Sequence, residues 1–122
     1  MKLLLSESEI KKRVRQLADR ISNDYKDKTP IFIGILNGSY VFMADLLREL
    51  HIQAEVDFVK IRSYDGDSST GTIKFRKDIS ADIDNRDVII VEEIIDSGFT
   101  INFLVNRLRE SGPKSVAVAT AL

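Results

Sequence analysis

The residues with the clearest chemical use lie together: Glu92-Glu93-Ile94-Ile95-Asp96-Ser97-Gly98-Phe99-Thr100. They follow directly on Val88-Ile89-Ile90-Val91, an apolar run that reads as a buried strand. A helix start presents N–H groups and the positive end of the helix dipole, so it can bind a phosphate without a lysine. Gly98 lets the backbone approach closely, and Ser97 and Thr100 add hydroxyl donors. Glu92 and Glu93 are suited to sugar hydroxyls and to a hard divalent cation such as Mg2+, which takes oxygen ligands. Asp96, between the acids and the phosphate loop, is placed to accept a proton. Taken alone, Asp-Ser-Gly-x-Thr reads as a helix cap beside solvated glutamates. The whole string from Val88 to Thr100 carries more than a cap needs. It is not a P-loop, since the sequence has no G-x-x-x-x-G-K-[ST], and it has no G-x-G-x-x-G dinucleotide fingerprint.

The surrounding sequence supplies elements that would position this string. Ser6 and Glu9 form a capping box, and Ile10, Val14, Leu17 and Ile21 follow at helical spacing on one face. Ile31 to Leu36 is a continuous apolar strand, Asn37-Gly38-Ser39 a tight turn, and Tyr40 to Leu50 a helix with Val41, Ala44, Leu47 and Leu50 inward. Ala54 to Ile61 reads as a strand. Arg62 to Gly71 is polar and aperiodic, as functional loops are. A short strand is expected at Thr72–Phe75 and a buried one at Asp87–Val91. A helix running to Arg109 should turn Ile101, Leu104, Val105 and Leu108 inward, and Gly112-Pro113 should stop it. A last strand begins near Ser115. Strands alternating with helices imply βαβ units and a mostly parallel sheet with flanking helices, an α/β fold. Ligands of such sheets sit beyond the carboxyl ends of the strands, where Glu92–Thr100 falls.

Composition narrows the function classes. A chain of 122 residues is one domain by length, and 43% hydrophobic residues can build its core. A net charge of −1 gives no general field toward nucleic acid or an anionic membrane. There is no cysteine, which excludes disulfides, thiol nucleophiles and cysteine-ligated metals. The short apolar start is not a signal peptide and no stretch approaches a membrane span, so a cytoplasmic protein is expected. Ser115 to Leu122 reads as a buried strand ending without a polar tail, which leads us to expect a fragment of a longer protein.

Val88–Thr100 resembles the phosphoribosyl-diphosphate (PRPP) binding motif of type I phosphoribosyltransferases, and its Glu-Glu-Ile-Ile-Asp-Ser-Gly form resembles the hypoxanthine-guanine branch. Gly34-Ile-Leu-Asn37-Gly38-Ser39-Tyr-Val-Phe-Met-Ala-Asp45 is similar to that family's pyrophosphate loop and following helix. Arg62-Ser63-Tyr64 resembles the start of its active-site lid. The resemblance implies a type I phosphoribosyltransferase-like fold, with a lid over about 62–77, and transfer of ribose 5-phosphate from PRPP to hypoxanthine or guanine. The products would be IMP or GMP and pyrophosphate. It implies Asp96 as the base assisting deprotonation of the purine. Ser97, Gly98, Phe99 and Thr100 would form the 5′-phosphate cradle, and Glu92 and Glu93 would lie at the ribose hydroxyls around Mg2+. Leu36-Asn37-Gly38 would meet the pyrophosphate, with a non-proline cis peptide there, and Ser63 and Tyr64 would lie on the lid. A homodimer or tetramer is also implied.

The sequence departs from that pattern in places. Glu93 stands where Asp is common, Asn37 where many members carry Lys or Arg, and Phe99 where a polar residue is frequent. The family's purine-contacting lysine, base-stacking aromatic and metal-binding aspartate fall after the strand that ends at Leu122. Their absence implies a chain incomplete at its C-terminus. His51 and the Lys11-Lys12-Arg13 cluster read as structural or solvated, and Arg76-Lys77 as a solvated turn that reaches phosphate only as the lesser alternative. Competing functions are a nucleotide-binding regulator of the same fold, a related enzyme for another base, and an inactive piece that keeps the PRPP half.

Overall fold

In a computed structural model, residues 6–64, 72–93 and 98–121 are described. In chain order they form α1 (Glu7–Asp24), β1 (Ile31–Leu36), α2 (Tyr40–Glu49), β2 (Glu55–Tyr64), β3 (Thr72–Lys77), β4 (Asp87–Glu92), α3 (Phe99–Arg109) and β5 (Ser115–Thr120). The capping box at Ser6 is formed as expected: Glu9 N–H donates to Ser6 Oγ at 3.2 Å, and Ser6 N–H to Glu9 Oε1 at 3.3 Å. The sheet order is β3-β2-β1-β4-β5. β1, β2, β4 and β5 run parallel, while β3 is an antiparallel edge strand paired to β2.

Alternation along the central strands splits the core in two. Phe32 of β1 and Ile89 and Val91 of β4 pack with Val14, Ala18 and Ile21 of α1 and Phe42, Met43 and Leu46 of α2. Ile31, Ile33 and Ile35, with Val88 and Ile90, pack on the other face with Leu104 and Leu108 of α3 and with Ile83. Both faces of β1 and β4 are therefore covered, which is why their sequences are continuous apolar runs. Gly34 faces α2, where a Cβ would lie 2.8 Å from Met43 Cε and 2.9 Å from Phe58 Cε1. The absence of a side chain there is what lets α2 close on the sheet.

Several expectations are corrected. In α2 the buried residues are Phe42, Met43 and Leu46, whereas Val41, expected inward, is 56% exposed. The helix begins only at Tyr40, and its short length leaves the apolar stripe to be set by where the Asn37–Ser39 turn aims it. Ile10 is likewise 44% exposed at the open end of α1. β2 does not stop at Ile61 but runs to Tyr64, pairing Ser63 with Ile73 and Tyr64 with Thr72. The expected loop from Arg62 and lid over about 62–77 are thus, at both ends, arms of a hairpin. Ile61 and Phe75 pack on the α3 side and so anchor those arms. Residues 65–71 lie outside the described residues.

Lys77 is not in a solvated turn. Its ammonium donates to Asp57 Oδ1 at 3.3 Å, Phe58 O at 2.8 Å, Asp78 O at 3.1 Å and Ser80 Oγ at 3.3 Å. The Asp57 carboxylate also accepts the N–H groups of Phe58, Ser80 and Ala81, all within 2.8 Å. Burial pushes the Asp57 pKa up, but the three backbone N–H groups and Lys77 outweigh it and hold the group below the ordinary carboxylate value. The cluster pins the crossover after β3 beneath the sheet, and Arg107 of α3 ties the same turn through Asp78 Oδ2 at 2.9 Å.

Candidate active site

The strand order places the two candidate loops side by side. From β1 the chain crosses by α2 to β2 on one side, and from β4 by α3 to β5 on the other. The adjacent carboxyl ends of β1 and β4 are therefore the point where the order reverses, the usual ligand crevice of an open α/β sheet. Gly34 pairs with Val91, the last register pair of the two strands, so the turn after β1 and the segment after β4 leave from neighbouring strands.

The Leu36-Asn37-Gly38 turn is fixed from below. The Leu36–Asn37 peptide is cis, in agreement with the resemblance. Ser39, fully buried, donates its hydroxyl to Ile35 O at 2.7 Å and also its N–H to the same oxygen at 3.2 Å. Ser39 O in turn accepts from Met43 N–H at 2.8 Å, joining the turn to α2. A Cβ at Gly38 would meet nothing within 4 Å, so the space over the turn is open to a ligand.

On the β4 side, Gly98 is the N-cap of α3, with φ of +78°. A side chain there would be strained by the left-handed backbone even though nothing crowds it. Gly98 has no side chain to cap the helix, and Gly98 O accepts from Asn102 N–H at 2.9 Å. The first turn, carrying Phe99 (58% exposed) and the half-buried Thr100, thus faces outward at the rim. Asp96 and Ser97 lie outside the described residues.

The two glutamates part company. Glu92 ends β4, half-buried, in register with Thr120, and its Oε1 accepts Glu93 N–H at 2.8 Å. Glu93 is exposed, its carbonyl accepts from Thr120 Oγ1 at 3.2 Å, and it borders a cavity of about 280 Å3 with Arg13 and Leu17 of α1 and Phe42. No group of three or more acidic or histidine side chains suited to a metal occurs among the described residues. Mg2+ commonly keeps its waters and takes one or two carboxylates plus substrate phosphate oxygens, and carboxylates at this rim fit that donor set.

Ser63 and Tyr64 lie in the far part of β2, beyond the Lys60–Leu36 pair, on the same rim. His51 is at the opposite end of the sheet, where its N–H donates to Ser22 Oγ at 3.0 Å. The Asp57–Lys77 cluster went unforeseen in the sequence. Its only signal is an acid inside the apolar run Val56-Asp57-Phe58-Val59.

An open sheet with a small-residue helix start and a carboxylate-bearing strand end at its reversal point has the layout of an α/β crevice that can take a phosphate-bearing ligand. The phosphoribosyl transferase domain profile matches residues 2–122, and the chain belongs to that family. It is 39% identical to the hypoxanthine-guanine phosphoribosyltransferase of Bacillus subtilis over 99% of this chain and 68% of that protein. Against the bifunctional protein TilS/HprT of Listeria monocytogenes, identity is 38%, and the chain spans only 19% of that protein's length. A crystal structure of a hypoxanthine-guanine phosphoribosyltransferase from Bacillus anthracis superposes with a TM-score of 0.92 at 36% identity, covering 98% of this chain and 72% of that one. Among the described residues no helix is long and apolar enough to cross a membrane.

Proposed function

We propose that this chain carries the PRPP-binding half of a purine-salvage reaction, transfer of a 5-phosphoribosyl group to hypoxanthine or guanine to give IMP or GMP and pyrophosphate. The observation that carries the proposal is the juxtaposition of the Leu36–Gly38 turn with the end of β4 at Glu92 and the start of α3 at Gly98, at the sheet's reversal point. Relatives named for this activity, 38–39% identical over nearly the whole chain, support it.

In this reading the α3 start and Gly98 hold the 5′-phosphate through backbone N–H groups, with Ser97 and Thr100 adding hydroxyls. Glu92 and Glu93 accept hydrogen bonds from the ribose hydroxyls. The Leu36-Asn37-Gly38 turn receives the diphosphate. Mg2+, when bound, neutralises charge on the leaving diphosphate. Asp96 accepts the proton from the purine nitrogen as the ring attacks the anomeric carbon. Ser63 and Tyr64, on the β2 arm, help shut water out of the site, since open solvent would capture an oxocarbenium-like centre. A cytoplasmic location and self-association complete the proposal.

The test is direct. The protein is mixed with Mg2+ and PRPP and, separately, hypoxanthine, guanine, xanthine or uracil, and nucleotide formation is followed. IMP or GMP formation is the expected result. PRPP binding without product would assign the chain a binding role only, and no PRPP binding at all would remove the reading.

A further inference from the structure

The turn that receives the diphosphate contains no cation: Leu36, Asn37, Gly38 and Ser39 are all uncharged. A diphosphate carries several negative charges, and one Mg2+ offsets only two. Cations do stand beside the turn, on the neighbouring hairpin. Lys60 is the register partner of Leu36, one strand away. It shares with Ile61, Arg62 and Arg76 an open groove of about 580 Å3. The three basic residues are exposed.

Strand geometry explains why they gather there. Val59 and Ile61 turn toward the α3 side of the sheet, so Lys60 and Arg62 on β2 turn to the other side, and Arg76 of β3 lines the same groove. That is the side toward which the Leu36–Ser39 turn leads into α2, because Phe58, two residues before Lys60, packs in the α1/α2 core. The ladder is irregular at this level. Lys60 pairs with Lys77 and Ile61 with Phe75, which leaves Arg76 as the extra residue of a bulge. Bulges re-aim side chains, and this one sets a second cation next to Lys60. Among the described residues neither Lys60 nor Arg76 takes part in an ion pair. The neighbouring Lys77, by contrast, is consumed by Asp57 and three other oxygens.

We infer that Lys60, with the bulged Arg76 beside it, supplies from the β2–β3 hairpin the positive charge that the uncharged Leu36–Ser39 turn lacks, and so positions the diphosphate of PRPP and the released pyrophosphate. This rests on the proposed function. It makes the site polar across its width: carboxylates on β4 face the sugar, and cations on the hairpin side face the diphosphate. The split orients a substrate whose ribose presents neutral hydroxyls to β4 and a highly charged diphosphate to the hairpin.

The test separates the two ends. Mg2+-pyrophosphate and ribose 5-phosphate are titrated separately by calorimetry into the 122-residue protein and into Lys60→Gln, Arg76→Gln and Lys26→Gln. Loss of a charge-assisted contact should weaken pyrophosphate binding about tenfold in Lys60→Gln, and less in Arg76→Gln. Ribose 5-phosphate binding should stay unchanged in both, and Lys26→Gln, far from the rim, should match the parent. The deficit should shrink as salt rises. Adding Asn37→Lys to Lys60→Gln should restore pyrophosphate affinity, because it returns the charge to the turn itself. Unchanged pyrophosphate affinity in Lys60→Gln overturns the inference, as does equal loss for both ligands. A parent protein that binds ribose 5-phosphate but not pyrophosphate overturns it and leaves the phosphate cradle standing. One that binds neither removes the functional reading as well.

Discussion

Arg76 and Lys77 are neighbours in the chain with opposite uses. Lys77 turns beneath the sheet, where Asp57 and three further oxygens accept from its ammonium. Arg76, in the bulge, is turned out into the groove beside Lys60. The same contrast separates the two acidic regions. Asp57 is 9% exposed and has its oxygens taken up by N–H groups and an ammonium, while Glu93 at the rim is exposed. Charges matched by protein partners hold the fold, and the exposed charges at the strand ends are the ones proposed to meet a substrate.

That contrast breaks if changes at the rim unfold the protein or changes at the cluster leave stability intact. The largest effect is expected at Asp96. Asp96→Asn should lower turnover by about 100- to 10,000-fold, the worth of a positioned general base, while PRPP affinity and melting temperature change little. Steady-state kinetics beside PRPP titration would read this, and equal losses of binding and turnover would contradict the assigned role.

Asp57→Asn should act in the opposite sense, with an effect on stability. Its amide must turn a donor toward either the Ser80 and Ala81 N–H groups or Phe58 N–H and Lys77. A loss of about 3 kcal/mol in denaturant unfolding is expected. The pH dependence sharpens the point. Because the folded pKa of Asp57 is depressed, its contribution is fully present above the unfolded carboxylate value of about 4 and is lost as pH falls through the folded value. The gap between parent and Asp57→Asn should therefore narrow on acidification below about pH 4. A gap independent of pH would mean that packing, not charge, sets the cost.

Gly34→Ala should cost about 1–2 kcal/mol, because the Phe58 ring and the Met43 methyl must both give way. Its main readout is again denaturant unfolding. A smaller secondary loss of pyrophosphate affinity would show that α2 packing holds the turn above it. The smallest effect is expected at the far end of α1. Ser6→Ala removes the capping box and should lower stability by about 1 kcal/mol with no change in ligand binding.

The elements were legible where one residue pattern admits one packing. The apolar runs at Ile31–Leu36 and Val88–Val91 can only be strands covered on both faces, and the structure has them so. The acids and small residues after these strands also stood out in the sequence, and in the structure β4 ends on Glu92 and α3 starts from Gly98. The phase of α2 was not legible: ten residues do not determine which stripe faces the sheet, and Val41 fell outside while Phe42 and Met43 fell inside. Nor was the reach of β2. Arg62-Ser63-Tyr64 is polar enough to read as loop, yet pairing with β3 satisfies its backbone.

The sequence by itself determined the order of strands and helices, the covered faces of β1 and β4, and where the acidic, small-residue segment proposed for phosphate follows its strand. Periodicity and turn residues act within a few positions of one another, so they are readable along the chain. Tertiary structure alone decided which strands lie side by side, that Asp57 meets Lys77, and that Lys60 and Arg76 come up beside an uncharged turn from another strand. Those facts depend on sheet order, register and one extra residue in a ladder. None of these is fixed locally, because a pairing energy is set by both partners at once.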